Sequence, residues 1–128
     1  MITGGCECGM VRFEVPSVRD TVTVCHCSQC RRTSGHIWAS TNAARYEDVV
    51  FTADEGLEWY ASSSFAKRGF CRSCGSSLFY RQNGEEGLAI AAGCIDDDSV
   101  LKIGRHIFVA DKGRYYEIGD SAPQFDKS

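Results

Sequence analysis

No run of eighteen or more apolar residues occurs in this chain, so no segment has the length that a membrane-crossing helix needs. The opening Met1-Ile-Thr-Gly-Gly-Cys6 has neither the basic region nor the continuous apolar stretch of a secretory leader. A basic surplus is missing too. The 14 Lys and Arg stand against 17 Asp and Glu, for a formal net charge of −3. A protein that tracks nucleic-acid phosphates shows the opposite balance. Helical periodicity is equally scarce: at most a turn or two is expected after Cys27 or across Asp98–Ile103. These absences point to a cytoplasmic protein without membrane or nucleic-acid partners, built mainly from strands.

Short alternating or β-branched runs fill the gap left by helices. Strands are expected near Met10–Val15, Thr21–Val24, Ile37–Ser40, Val49–Thr52, Leu57–Tyr60, Lys67–Phe70, Ser77–Tyr80, Leu88–Ala92 and Arg105–Val109. Turn-rich stretches such as Ala53-Asp-Glu-Gly56 and Gln82-Asn-Gly84 separate them. The pattern predicts a sandwich or an open, barrel-like arrangement. The expected domain spans residues 1–118, with a polar tail over 119–128 that frays.

The chain is rich in cysteine, with eight in 128 residues. Seven fall in three clusters: Cys6-Glu-Cys8-Gly9, Cys25-His-Cys27-Ser-Gln-Cys30 and Cys71-Arg-Ser-Cys74-Gly75. In a reducing compartment stable disulfides are rare, and such close pairs make strained bridges. Buried apolar cysteines would show no such spacing. Two cysteines three apart fold their thiolates onto one ion, and a following glycine permits the tight turn. A C-x-C pair on a strand points both thiolates to one side. Zinc takes four ligands, so seven cysteines divide into four and three. A C-x-C plus a C-x-x-C closes one site, and the C-x-C-x-x-C leaves the other with an open position. Spacing alone does not say which clusters pair, although the shared glycine favours Cys71 and Cys74 with Cys6 and Cys8.

In their order these segments resemble the glutathione-dependent formaldehyde-activating enzyme family, which includes the centromere protein V type of domain. The likeness runs from Gly4-Gly-Cys-Glu-Cys-Gly-Met-Val-Arg-Phe-Glu-Val15 through Cys25-His-Cys-Ser-Gln-Cys-Arg-Arg-Thr-Ser-Gly35 to Arg68-Gly-Phe-Cys-Arg-Ser-Cys-Gly-Ser76. Gly93-Cys-Ile-Asp-Asp97 and His106-Ile-Phe108 follow in register. The resemblance implies a mainly β, single-domain, tent-like fold of short antiparallel sheets around a structural zinc held by Cys6, Cys8, Cys71 and Cys74. It assigns Cys25, Cys27 and Cys30 to a second, catalytic zinc. It also implies carbon–sulfur lyase activity, joining glutathione and formaldehyde or parting them. Departures from the pattern are Tyr115-Tyr116, where many relatives have a tryptophan, and Cys94, where a small polar residue is common.

The residues themselves suit that chemistry. Three thiolates would leave a zinc site formally at −1, a poor Lewis acid for hydrolysis. A substrate thiol could fill the open position, lose its proton and attack a small electrophile. Arg31 and Arg32 are candidates for holding a substrate carboxylate, and His36 is the candidate acid–base group. His26 is expected to support the ligands from outside, and His106 to be structural. Trp38, Trp59 and Phe65 are candidate pocket walls, with core packing as the competing role. Cys94 is not expected to be a ligand. The rival function is a non-catalytic binding module that zinc merely staples.

Overall fold

Alternation makes the first hairpin. In β2 (Arg12–Val15) the half-buried Arg12 and Glu14 alternate with buried Phe13 and Val15. β1 (Ile2–Gly5) runs antiparallel to it, from Ile2 opposite Val15 to Gly5 opposite Arg12. β5 (Val50–Ala53) pairs antiparallel with the other edge of β2 and completes a three-stranded sheet, β1-β2-β5. β1 was not among the expected strands, since Ile-Thr-Gly-Gly carries little strand propensity. Close approach explains it. A Cβ at Gly4 would collide with the Cys94 carbonyl and stand 2.6 Å from the Phe13 ring, so only glycine lets this strand lie where it does.

The computed structural model describes all 128 residues. Its second sheet comprises β3 (Thr21–Cys25), β4 (Trp38–Ala43), β6 (Leu57–Tyr60), β7 (Ala66–Cys71), β8 (Ser77–Gln82), β9 (Leu88–Ala91) and β10 (Lys102–Ile107). Their spatial order is β10-β3-β4-β9-β8-β7-β6. Pairing is antiparallel throughout except at β10 and β3, which run parallel. The only α-helix, α1 (Ser28–Ser34), follows Cys27, and a single 3-10 turn at Asp98–Val100 stands where helix was also allowed. No helix is long and apolar enough to cross a membrane.

β10 begins and ends earlier than expected. Its ladder shifts register between Ile103 and Arg105, and Phe108 turns out of it with φ 54°, left-handed backbone that a bulky residue seldom adopts. The tail does not fray. The Phe125 N–H donates to the His106 carbonyl at 2.9 Å, the His106 N–H to Pro123 at 2.9 Å, and the Phe108 N–H to Lys127 at 3.1 Å. These bonds satisfy groups on the outer edge of β10 that would otherwise be unpaired.

The core lies between the sheets. Phe13, Leu78, Phe79, Leu88 and Ile90 are buried there, and Phe79 meets the rings of Phe13, Phe51 and Trp59 at 5.5–5.9 Å between centroids. Cys71 is fully buried in this core. Cys25, Cys30 and Trp38 form a separate small cluster, with Tyr80, Ile107 and Phe108 packed against it.

Candidate metal centres

Non-local pairing assembles the four-cysteine group. Cys6 and Cys8 sit in the turn between β1 and β2, while Cys71 ends β7 and Cys74 lies in the turn before β8. Their four sulfurs lie within 4.8 Å of one another. The Cys6–Cys8 and Cys8–Cys71 sulfur separations are both 3.7 Å. Metal–sulfur bonds of about 2.3 Å in a tetrahedron require sulfurs ~3.8 Å apart. Those two separations match a tetrahedral ion.

The two turns are built alike. Gly9 and Gly75, each directly after a cysteine, have φ 85° and 80°, which glycine adopts without strain. The Gly75 N–H reaches the Cys71 carbonyl at 2.7 Å, and the Val11 N–H donates to Cys6 Sγ at 3.2 Å. Ser76 joins the turns: its hydroxyl lies 3.1 Å from Cys74 Sγ and accepts from the Glu7 N–H at 3.2 Å. That Ser76 contact is the first cause holding the Cys74 thiol down at about 5.

The second group is local. Cys25 ends β3, Cys27 is the N-cap of α1, and Cys30 lies in its first turn with its N–H donating to Cys27 Sγ at 3.3 Å. Their three sulfurs lie within 4.8 Å of one another, and no fourth Cys, His, Asp or Glu belongs to the group. Strand alternation was offered as the way a C-x-C pair points both thiolates to one side. In both pairs the chain is leaving a strand, so turn geometry gathers the sulfurs. The Cys30 thiol is drawn down to about 5 by its hydrogen bond with Cys25, against the cost of burial and with help from Arg68. The same contact pushes the Cys25 thiol up.

Cys94 stands apart from both groups, its Sγ 3.0 Å from the Ala91 carbonyl, and burial pushes its thiol up to about 12. Arg31 is engaged by the backbone. It donates to the His26 carbonyl at 3.2 Å and the Asp111 carbonyl at 3.1 Å, bracing the loop. Arg32 is exposed. His36 is exposed and pairs through Nδ1 with the Tyr115 hydroxyl. Trp38 packs on Cys25 and Cys30, whereas Trp59 belongs to the main core and Phe65 is exposed.

The histidines proved less solitary than their sequence contexts suggest. His26 and His106 are both buried, with His26 Nε2 2.9 Å from His106 Nδ1. His106 Nε2 lies 3.0 Å from both Asp120 oxygens, and His26 Nδ1 lies 2.8 Å from the Tyr116 hydroxyl. A carboxylate only accepts, so His106 donates from Nε2 to Asp120; with both imidazoles neutral, His106 Nδ1 then accepts from His26 and His26 Nδ1 accepts from the Tyr116 hydroxyl. Burial above all, with neighbouring positive charge from Lys112 and Arg31 adding to it, keeps His26 below the usual imidazole range. The chain ties the C-terminal segment to the residue between two clustered cysteines. Arg68 is the other missed residue. It is buried on β7, with Nη2 3.5 Å from Cys30 Sγ and 3.3 Å from Gln29 Oε1. Its sequence signals were the pair of charges Lys67-Arg68 in an expected strand and its place at the head of the family-like segment Arg68–Ser76.

A family model described as glutathione-dependent formaldehyde-activating enzyme matches residues 1–111. A Schizosaccharomyces pombe protein named an uncharacterized lyase is 26% identical over 126 residues, covering 95% of this chain and 88% of that one. A Halomonas elongata protein, provisionally named a glutathione-dependent formaldehyde-activating enzyme, is 34% identical over 86 residues. That match spans 62% of this chain and 55% of the relative. A crystal structure of a Rhodobacter sphaeroides protein superposes with a TM-score of 0.64 at 23% identity, over 95% of this chain and 98% of that one.

Proposed function

The chain belongs to the glutathione-dependent formaldehyde-activating enzyme family, and from that premise we propose a zinc-dependent carbon–sulfur lyase that joins a small thiol to an aldehyde or parts them. The observation that carries this reading is the group Cys25, Cys27 and Cys30, three convergent thiols with no fourth donor from the chain. In this reading Cys6, Cys8, Cys71 and Cys74 hold a structural zinc, and the three-thiol group holds a second. When bound there, zinc supplies an open coordination position that favours the thiolate form of a substrate. Glutathione is the proposed thiol and formaldehyde the proposed electrophile, both from the names of the family and of a relative.

The bond changes balance without a redox partner. The thiol gives up its proton, its sulfur forms a bond to the carbonyl carbon, and the carbonyl oxygen takes a proton. The reverse breaks that carbon–sulfur bond and restores thiol and aldehyde. His36, accessible and hydrogen bonded to Tyr115, is the proposed carrier of the proton to oxygen. Arg68 offsets the negative charge at Cys30, and the Tyr116–His26–His106–Asp120 chain holds the loop that carries Cys25 and Cys27. A cytoplasmic setting belongs to this reading, because open thiolates require reducing conditions.

Calorimetry of zinc-loaded protein with glutathione, in buffers of different ionisation enthalpy, tests it. Binding should release a proton, and Cys27→Ala should abolish the signal while the fold persists. Absence of binding by every small thiol to fully loaded protein would leave a zinc-stapled binding module as the better account.

A further inference from the structure

Beside the three-thiol group lies a cleft of about 350 Å³ whose lining includes Trp38, Tyr60, Phe70, Thr33, Ser77 and Arg68. Two of these residues reach the thiols directly. Trp38 packs on Cys25 and Cys30, and Arg68 Nη2 contacts Cys30 Sγ. Four of its nine lining residues are aromatic, which leaves few polar side chains to account for. The Ser77 hydroxyl already donates to the Thr33 carbonyl at 3.1 Å, and the Thr33 hydroxyl to the Cys30 carbonyl at 3.2 Å. Arg68 is different. It is only 7% exposed, no carboxylate pairs with it, and its Nε has no hydrogen-bond partner.

A buried guanidinium without a carboxylate is rare, and an orphaned buried donor is costly. Nη2 meets Cys30 and Gln29, and the Tyr80 ring lies 4.9 Å from the guanidinium carbon, yet none of these serves Nε. The other buried orphan in the protein is the Ser62 hydroxyl, and it belongs to the same corner: Gln29 Nε2 donates to the Ser62 carbonyl at 2.9 Å. Both unsatisfied groups thus flank Gln29, the residue before Cys30. Elsewhere the buried side-chain polar atoms are partnered, so the deficit is confined to this corner.

We propose that this cleft is an acid-group subsite, in which the Arg68 fork receives the carboxylate of the substrate thiol while the three-cysteine group receives its sulfur. The substrate class is therefore a thiol acid, not an alkyl or hydroxyalkyl thiol. This inference rests on the thiol-binding reading above, and it moves the carboxylate anchor from Arg31 and Arg32 to a residue that faces a cavity. Planar, paired donors suit a carboxylate better than an ammonium does, so lysine should not replace Arg68.

The experiment titrates zinc-loaded protein with three probes: 3-mercaptopropionate, 2-mercaptoethanol and the thiol-free acid benzoate. Tryptophan fluorescence, to which Trp38 and Trp59 both contribute, and calorimetry report binding, and zinc content is measured on each sample. Wild type should bind mercaptopropionate at least about tenfold more tightly than mercaptoethanol, as a charge-assisted pair provides. Arg68→Lys keeps a charge beside Cys30, and in it the preference, the ratio of the two thiol affinities measured at equal zinc content, should fall to about twofold or less. Arg68→Gln should do the same to the preference. Equal affinity of wild type for the two thiols, or a preference that survives in Arg68→Lys, would overturn the subsite and leave thiol binding standing. Benzoate binding that requires Arg68, with no thiol bound, would support the subsite and sink the lyase reading. No binding of any probe would overturn both.

Discussion

Replacing Cys71 by serine should remove most of the stability of the domain. Its sulfur is fully buried, lies 3.7 Å from Cys8 Sγ and belongs to the core that includes Phe13 and Phe79. Serine does not ionise near neutrality and places a shorter arm toward the other sulfurs. Structural zinc in small peptides contributes about 10–16 kcal/mol, against a total of roughly 5–15 kcal/mol for an ordinary domain. Losing even half of that contribution consumes the margin. The hydroxyl adds a cost of its own. A Cβ placed on Gly56 would sit 2.8 Å from the Cys71 sulfur, so the surroundings are closed and the new hydroxyl loses about 1–3 kcal/mol of hydration. If the variant folds at all, its melting temperature should fall by roughly 15 °C or more. Circular dichroism melts with zinc analysis provide the assay, and wild type stripped by a strong chelator should approach the same curve. A Cys71→Ser protein that melts within about 3 °C of wild type, with its zinc content unchanged, would refute the structural role of this group.

Two further substitutions probe separate links. Cys94→Ser should leave the zinc content unchanged, since Cys94 lies outside both groups and its Sγ faces the Ala91 carbonyl; loss of one metal equivalent would instead make it a ligand. Asp96 is held down at about 2 by the Arg12 guanidinium and then by the Thr3 hydroxyl at 2.7 Å. Its folded value lies below the unfolded one, so its contribution is present above about pH 4 and is lost as pH falls toward the folded value. With Asp96 and Arg12 side chains 45% and 37% exposed, screening limits that contribution to under about 1 kcal/mol. Asp96→Asn should thus be slightly less stable than wild type at neutral pH, with a gap in urea midpoint that narrows from about pH 5 to pH 3. A gap that stays constant over that range would show that the ion pair contributes nothing.

The cysteine clusters were legible because a chelate is written in local spacing. Cys71 and Cys74, or Cys27 and Cys30, stand as far apart in sequence as one turn needs, and Gly9 and Gly75 mark where those turns close. Most strands were legible for the same reason, since alternation such as that in Arg12–Val15 is local. β1 was not, because its reason is a neighbour: Gly4 has no side chain so that Phe13 and the Cys94 carbonyl can approach. The tail was misread likewise, its polar composition giving no sign that the edge of β10 needed partners.

What surrounds the three-thiol group was the least legible part, and the physics of the site explains why. A ligand must meet its metal with its own short side chain, so its spacing is constrained and visible. A residue that balances charge or orients a loop needs only to arrive at the right place from any strand. Arg68 comes from β7, 38 positions after Cys30, and Tyr116 comes from 90 positions after His26. His106 looked structural beside its apolar neighbours, and only the parallel ladder of β10 on β3 sets it opposite Val24, within reach of His26. The metal-holding capacity of such a chain is therefore carried by residues that spacing exposes. Arg68 and the cleft beside it, the substrate subsite proposed above, are brought to the site only by folding.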